Sequence, residues 1–344
     1  MSIVGITGGV DTHADVHVAA AVDHNGGLMG MESFAADLAG YETLLSWLTE
    51  FGPIVQIGVE GTGSWGVGLA RFLADQDLEV IEVDRPNRQT RRKQGKSDPT
   101  DAVSAARAAL SGEASVTPKA RNGAVEQIRV LLVARRSARQ QRIQSLNQIR
   151  HLVFCAPEEI RVRFKDRPKT GLVKEAAAMR PHEGSDPLEY TTNLVIRNLA
   201  RRVTRLNDEM AEIDRMLAGL ISQTAPSLLD LHGVGIDSAA SLLVTAGDNP
   251  DRLHSEGSWA RLCGVAPLPA NSGKVNARYR LNRGGDRQAN AALYRIALTR
   301  MSNHQQTRTH VARRRSEGLN SGEIMRCLKR YVARQTFKHL PQKV

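Results

Sequence analysis

The chain has 344 residues, 41% hydrophobic and 24% charged, which is ordinary globular composition and enough for roughly two or three domains. No apolar run approaches the roughly eighteen residues a membrane span needs, and no basic segment leads into an apolar one at the N-terminus. Neither a span nor a signal peptide is therefore expected. The net charge of +11 is unevenly shared: residues 1–84 hold 13 acids and one base, Arg71, whereas the rest holds 23 acids and 46 bases. An acidic head on a strongly basic body points to nucleic acid as the partner of the body. Cys155, Cys263 and Cys327 lie far apart, with neither metal nor disulfide spacing, as expected of a reducing cytoplasm.

Taken in order, residues 3–10 and 16–23 are apolar and rich in Val and Ala, and Asn25-Gly26 suits a tight hairpin turn. Residues 28–34 form the returning strand. Apolar positions 38, 41, 44, 45 and 48 keep a helical period, ended by Gly52-Pro53. Residues 54–59 read as a buried strand with Glu60 at its end. Ser64 is placed to cap a helix over 65–75, and 78–83 is a further strand. Three hairpin-linked strands, helix, strand, helix, strand, helix is a ribonuclease-H-like order, with helices on both faces of the central strands.

Residues 85–96 (RPNRQTRRKQGK) carry Arg85, Arg88, Arg91, Arg92, Lys93 and Lys96 with no acid, a loop suited to phosphate contact. Ser97-Asp98-Pro99 then starts a helix, with Asp98 and Asp101 on one side of its first turn. Residues 125–155 form a long helix in which Arg135, Arg136, Arg139, Arg142 and Arg150 have no acid between them. Residues 156–189, with four prolines, predict short helices at most. Ile196, Leu199, Val203, Leu206, Met210, Ile213, Leu217 and Leu220 alternate by three and four, a heptad seam that pairs with 125–155 or with another subunit.

Residues 228–243 (LLDLHGVGIDSAASLL) resemble a helix-hairpin-helix, with Gly233 and Gly235 in the turn and free amides for a phosphate. Residues 267–285 are polar and basic, with Lys274, Arg278, Arg280 and Arg283, and precede a helix over about 286–301. The tail, 302–344, is helical and basic. The predicted domains are thus 1–112, 113–224, 225–301 and 302–344.

Four acids carry a possible chemistry. In a ribonuclease-H-like sheet the first and fourth strands are neighbours, so Asp11 and Glu60 sit side by side and a following helix lays Asp98 and Asp101 over them. Acids packed together stay ionised only around a cation, and hard oxygen ligands suit Mg²⁺ or Mn²⁺. Such an ion clamps phosphoryl oxygens during transfer. His13 and Asp15 stand outside this set. Ser272, in Asn271-Ser272-Gly273-Lys274, is a second candidate, although a Ser-Gly pair alone usually marks a turn. An actin-like ATPase also opens on a strand ending in Asp, but no second phosphate loop follows residue 112.

The motifs VDTHAD, VEGTGSWG, KSDPTDA, HGVG, LCGVAP and SGK…RGGDRQANAAL, in that order, resemble those of the DEDD transposases of the insertion-sequence-110 family, also described as bridge-RNA-guided serine recombinases. The resemblance implies a RuvC-like N-terminal domain, a coiled-coil section and a helical C-terminal transposase domain with a nucleophilic serine. It assigns Asp11, Glu60, Asp98 and Asp101 to the metal and Ser272 to a phosphoserine link. Many members have two serines and two glycines where this chain has one of each. The resemblance further implies DNA and a structured guide RNA as partners, in the cytoplasm of a prokaryote and at its nucleoid. Recombination joins two duplexes by several coordinated cuts, and the seam at 196–220 offers an interface, so a dimer that assembles to a tetramer is expected. The alternative is a RuvC-like metal-dependent nuclease without a covalent serine intermediate. A non-catalytic nucleic-acid binder is a third reading.

Overall fold

The computed structural model describes residues 5–83, 98–249, 252–269, 279–281 and 284–341, with backbone alone at 98, 99, 269 and 279–281. The chain divides into two units, Met1–Gly123 with Ala246–Trp259, and Ala124–Thr245 with Ala260–Pro341. Among the described residues, no helix is long and apolar enough to cross a membrane.

The first unit runs β1 (Ile6–Thr12), β2 (Val16–Val22), β3 (Leu28–Ala35), α1 (Leu38–Glu50), β4 (Ile54–Glu60), α2 (Val67–Asp75), β5 (Val80–Val83) and α3 (Asp98–Leu110). Its five strands lie in the order β3-β2-β1-β4-β5. The first three are antiparallel neighbours, while β1-β4 and β4-β5 are parallel. This mixed sheet, with a mostly helical chain after it, is consistent with a ribonuclease-H-like α/β layer followed by α. The expected helix cap at Ser64 is not formed. Gly66 is the N-cap of α2, with no side-chain bond, and the Ser64 hydroxyl donates to the Gly61 carbonyl (3.2 Å) within the preceding turn.

Strand alternation sorts the sheet into two faces. Ile6, Val10, Ala19, Ala21, Ile57 and Val59 pack with Leu44 and Leu48 of α1 and Leu69 and Leu73 of α2. The other face carries Val18 and Ala20 against Ala102 of α3. His17 shares the α1 face and is fully buried. Its ring stacks on Tyr41 at 5.7 Å, Nδ1 accepts from the His13 amide, and Nε2 has no partner among the described residues.

Burial pushes the His17 pKa below its ordinary 6.5, so the fold binds the neutral ring. The unfolded chain then takes up the proton more readily than the folded one. The stability of this unit should be full above a pH of about 6.5 and decline as pH falls through that value. Thermal unfolding followed against pH should show that decline, and His17→Phe should flatten it.

The second unit opens with α4 (Ala124–Cys155), then α5 (Glu158–Phe164), α6 (Lys169–Ala178) and α7 (Pro187–Thr224). Prolines start the last three: Pro157 and Pro168 are N-caps and Pro187 lies in the first turn. The heptad seam is filled from within the same chain by α4. Ile149 and Val153 of α4 share a core with Ile196, Ala200 and Val203 of α7, closed by Phe164 and Val173. The buried row is Ile196, Ala200, Val203, Leu206, Ile213, Leu217 and Ile221, so Leu199, Met210 and Leu220 of the strict heptad are only half-buried. A 3.6-residue helix drifts off a 3.5-residue repeat in this way.

Two seam positions of α4 are arginines. Arg135 Nε donates to Asp214 (2.5 Å) and Arg142 donates to Asn207, both across on α7. The partners are seven apart on each helix and run in opposite senses, which makes the pair antiparallel and fixes its register. Asp214→Ala should lower the stability of this unit by about 1–2 kcal/mol, because it strips a half-buried guanidinium of its main partner. The denaturant midpoint measures the loss, and Asp214→Asn should recover part of it.

The remainder is α8 (Pro226–Leu229), α9 (Ile236–Ala246), α10 (Glu256–Leu262), the short pair β6 (Pro267–Pro269) and β7 (Tyr279–Leu281), then α11 (Arg287–Asn303), α12 (Gln305–Ser316) and α13 (Ser321–Phe337). Ala297, Val311, Ile324 and Leu328 join the last three.

Candidate active site

The acids are placed by how closely α3 lies on the sheet. A Cβ on Gly9 would fall 2.2 Å from the Ala106 amide nitrogen, and one on Gly58 would fall 2.5 Å from the Ala105 carbonyl oxygen. Only glycine admits the helix backbone there. Asp11 and Glu60 share strand parity with Gly9 and Gly58, so both face α3. Val10 lies opposite Val59 in the parallel pair, which makes Asp11 and Glu60 the next neighbours along β1 and β4.

The helix runs against these strands. The Ala109 carbonyl accepts from Gln56 Nε2 (3.2 Å), and Ala105 lies over Gly58. Four helical residues rise about 6 Å and two strand residues about 6.6 Å, so the next step brings Asp101 level with Glu60. On β1, Gly9 lies between Ala102 and Ala106, so Asp11 is level with the first turn of α3. Asp98 begins that turn.

Asp11, Glu60 and Asp101 are 6%, 5% and 7% exposed. Sequence reasoning left His13 aside, yet its Nε2 lies 3.1 Å from Asp11 Oδ2. It also missed the tie from the Thr12 hydroxyl to the Glu60 carbonyl (2.8 Å), which pins the two strand ends together. Nearby, Glu82 of β5 accepts from the Thr62 hydroxyl (2.8 Å) and pairs with Arg252 (3.4 Å). Arg252 belongs to the stretch that returns to this unit late in the chain. No local pattern announces it.

Three buried carboxylates at one end of a sheet fit a hard divalent cation in kind. Among the described residues, no three acids, histidines or cysteines lie close enough to one point to hold a metal ion.

In the second unit, β6 and β7 pair antiparallel, with Pro267 opposite Leu281 and Pro269 opposite Tyr279. Ser272 falls in the chain between these strands and lies outside the described residues, as do Lys274, Arg278 and Arg283. Arg280 belongs to β7, described by its backbone. The basic run from Arg85 through Arg88, Arg91, Arg92 and Lys93 to Lys96 also lies outside. The base of the hairpin is firm. The Asp286 amide donates to the Leu262 carbonyl (2.7 Å), and Asn290 Nδ2 donates to the carbonyls of Cys263 and Gly264 (3.0 Å each). Lys329 donates to Asn290 Oδ1 (2.9 Å), and burial lowers its pKa. Asp286 is the N-cap of α11, accepting from the amides of Gln288 and Ala289.

The two glycines expected in the α8–α9 turn differ. Gly233 has φ +81° and packs on α11, whereas Gly235 has no positive φ and open space beside it. Arg135 is engaged with Asp214 and Asp237, while Arg139 is exposed.

Comparison with known proteins bears on the same two regions. A family model of DEDD transposases of the IS110 type matches residues 8–154, and the model of transposases of the IS116/IS110/IS902 family matches residues 225–312. The chain belongs to the IS110 family of DEDD transposases. Its relatives include the 42 kDa protein of insertion element IS900 from Mycobacterium paratuberculosis, 28% identical over 42% of this chain and 37% of the relative. The 43.6 kDa protein of insertion element IS110 from Streptomyces coelicolor is 30% identical over 37% and 32%. The chain thus spans about a third of the length of these curated relatives. The first family match covers β1, β4 and α3, and the second covers the β6–β7 hairpin.

The glycine contact between α3 and the sheet can be tested by filling it. Gly9→Val should cost about 1–3 kcal/mol or more, seen as a fall in the unfolding midpoint, because the α3 backbone has nowhere to move. Gly219→Ala, in α7 with open space around it, should instead add about 0.5–1 kcal/mol.

Proposed function

We propose that this chain is a site-specific DNA recombinase that moves its own insertion element, with Ser272 as nucleophile and Asp11, Glu60, Asp98 and Asp101 as ligands of Mg²⁺ or Mn²⁺. The observation that carries the reading is the set of three buried acids, Asp11, Glu60 and Asp101, at one end of the sheet. Carboxylate oxygens are the hard donors that a divalent cation of this kind takes. When bound, the cation supplies positive charge to the non-bridging phosphate oxygens as the phosphorus changes partners. The Thr12 hydroxyl ties the two strand ends together through the Glu60 carbonyl, and His13 holds the aim of Asp11.

Ser272 Oγ bonds to a DNA phosphorus, and the bond from that phosphorus to the leaving strand oxygen breaks. The serine loses a proton and the leaving hydroxyl gains one. One phosphodiester replaces another, so rejoining needs no external energy. Lys274, Arg278, Arg280 and Arg283 flank the serine and provide the charge for a phosphate to dock. A structured RNA from the element guides the choice of DNA, and a dimer assembling to a tetramer makes the coordinated cuts. The first unit is read as a RuvC-like domain and the α4–α7 pair as the coiled-coil section.

Recombination reconstituted with element ends, target DNA and the element's RNA tests this. Wild type should form a protein–DNA adduct that survives denaturation. Ser272→Ala should lose both adduct and recombinants, and Asp11→Asn should reduce both to background. Omission of the RNA should abolish joining. If Ser272→Ala still cuts DNA and no adduct ever forms, the chain is a metal-dependent nuclease without a serine step.

A further inference from the structure

We propose that a basic groove between α4, α9 and α11 seats the phosphodiester backbone of double-stranded DNA, and that Asp237 occupies a phosphate's place in it until DNA arrives. The proposal rests on the reading of the chain as a protein that handles DNA.

The groove has a volume of about 370 Å³; its lining includes Arg135, Arg136 and Arg139 of α4, Asp237 of α9 and Arg295 of α11, with Gln140, Gln288, Ser241 and Ile143 between them. Arg136 and Arg139 are exposed and pair with no acid among the described residues. Asp237 divides its two oxygens between the other two arginines: Oδ1 lies 3.2 Å from Arg135 Nη1 and Oδ2 lies 2.8 Å from Arg295 Nη2. A phosphodiester offers two non-bridging oxygens to a pair of guanidiniums in the same fashion.

Two features make this an exchangeable contact. The Asp237 side chain is 38% exposed, so water and a competing anion reach it. Arg135 is held separately by Asp214, at 2.5 and 3.3 Å, and keeps its position when Asp237 lets go. The ligand class follows from the lining. Four guanidiniums and neutral amides suit a backbone. No aromatic side chain lines the groove among the described residues, so it lacks the stacking platform of single-strand sites.

The test is equilibrium binding of the full chain to a labelled mixed-sequence DNA duplex, read by fluorescence anisotropy across a salt series in chelator, so that no cleavage intervenes. Arg136→Ala with Arg139→Ala should weaken binding and flatten the log–log salt slope by about two, one per lost phosphate contact. Asp237→Asn should bind severalfold tighter than wild type. Arg161→Ala with Arg163→Ala, on α5, removes the same charge outside the groove and should change the slope far less. The arginines of the main variant are exposed, so it carries the test even if Asp237→Asn fails to fold.

The groove is rejected if its double variant binds like wild type, if the α5 variant loses as much, or if a folded Asp237→Asn binds no tighter. Equal use of the same arginines by an RNA duplex rejects the commitment to DNA. In each of these cases the recombinase reading stands. A wild-type chain that binds no DNA duplex overturns both.

Discussion

The backbone of α3 rests directly on β1 and β4, because Gly9 and Gly58 leave no side chain between helix and sheet. That contact sets the geometry of the candidate site. With small residues, Ala102, Ala105, Ala106 and Ala109, on the touching face, the helix can slide only by clashing with strand backbone. Its register is therefore fixed, and with it the level of Asp101 above Glu60. The acids themselves gain nothing from being close. They are held by apolar and glycine packing two turns away, which stabilises the unit whether or not a cation is bound.

What could be read from the sequence follows the range of each signal. The strand ends at Asp11 and Glu60 are local: an apolar run stops at an acid, and strand order makes the two runs neighbours. The placement of α3 is not local. Nothing near Gly9 or Gly58 in the sequence points to the alanines of α3 that pack on them, 47 or more residues later. Ser64 read as a cap from composition alone, but the turn from Gly61 to Gly66 uses its hydroxyl within the loop. Arg252 and Asn249, which bind the carbonyls of Thr117 and Pro118, tie a late segment back to the first unit. Single polar residues in a polar stretch carry no periodicity, so only the folded chain reveals them.

The helical unit shows the opposite balance. Its seam on α7 was legible as a 3/4 alternation, because eight apolar positions repeat it. The partner was ambiguous for a physical reason: α4 breaks its own apolar row with Arg135 and Arg142, so no matching seam stands out in its sequence. Those two arginines meet Asp214 and Asn207 across the seam. An apolar pair at the same positions would tolerate a shift by one heptad, whereas a misregistered arginine would be left facing an aliphatic side chain. The polar interruptions that hid the pairing thus specify it.

Charge links the two units to one chemistry on the proposed reading. A head with 13 acids and one base in its first 84 residues repels a phosphodiester at long range, and its buried acids cannot recruit DNA unaided. The basic remainder attracts the backbone through exposed guanidiniums, a term that depends on salt and not on base sequence. Association energy won there can offset the cost of bringing a phosphate to the acids, provided a cation arrives with it. Cutting then requires three charges together: the arginine-held backbone, the metal and the carboxylates. A chain that met DNA without the cation, or the cation without DNA, would lack one of them, and the dependence on both guards against cleavage at casual encounters.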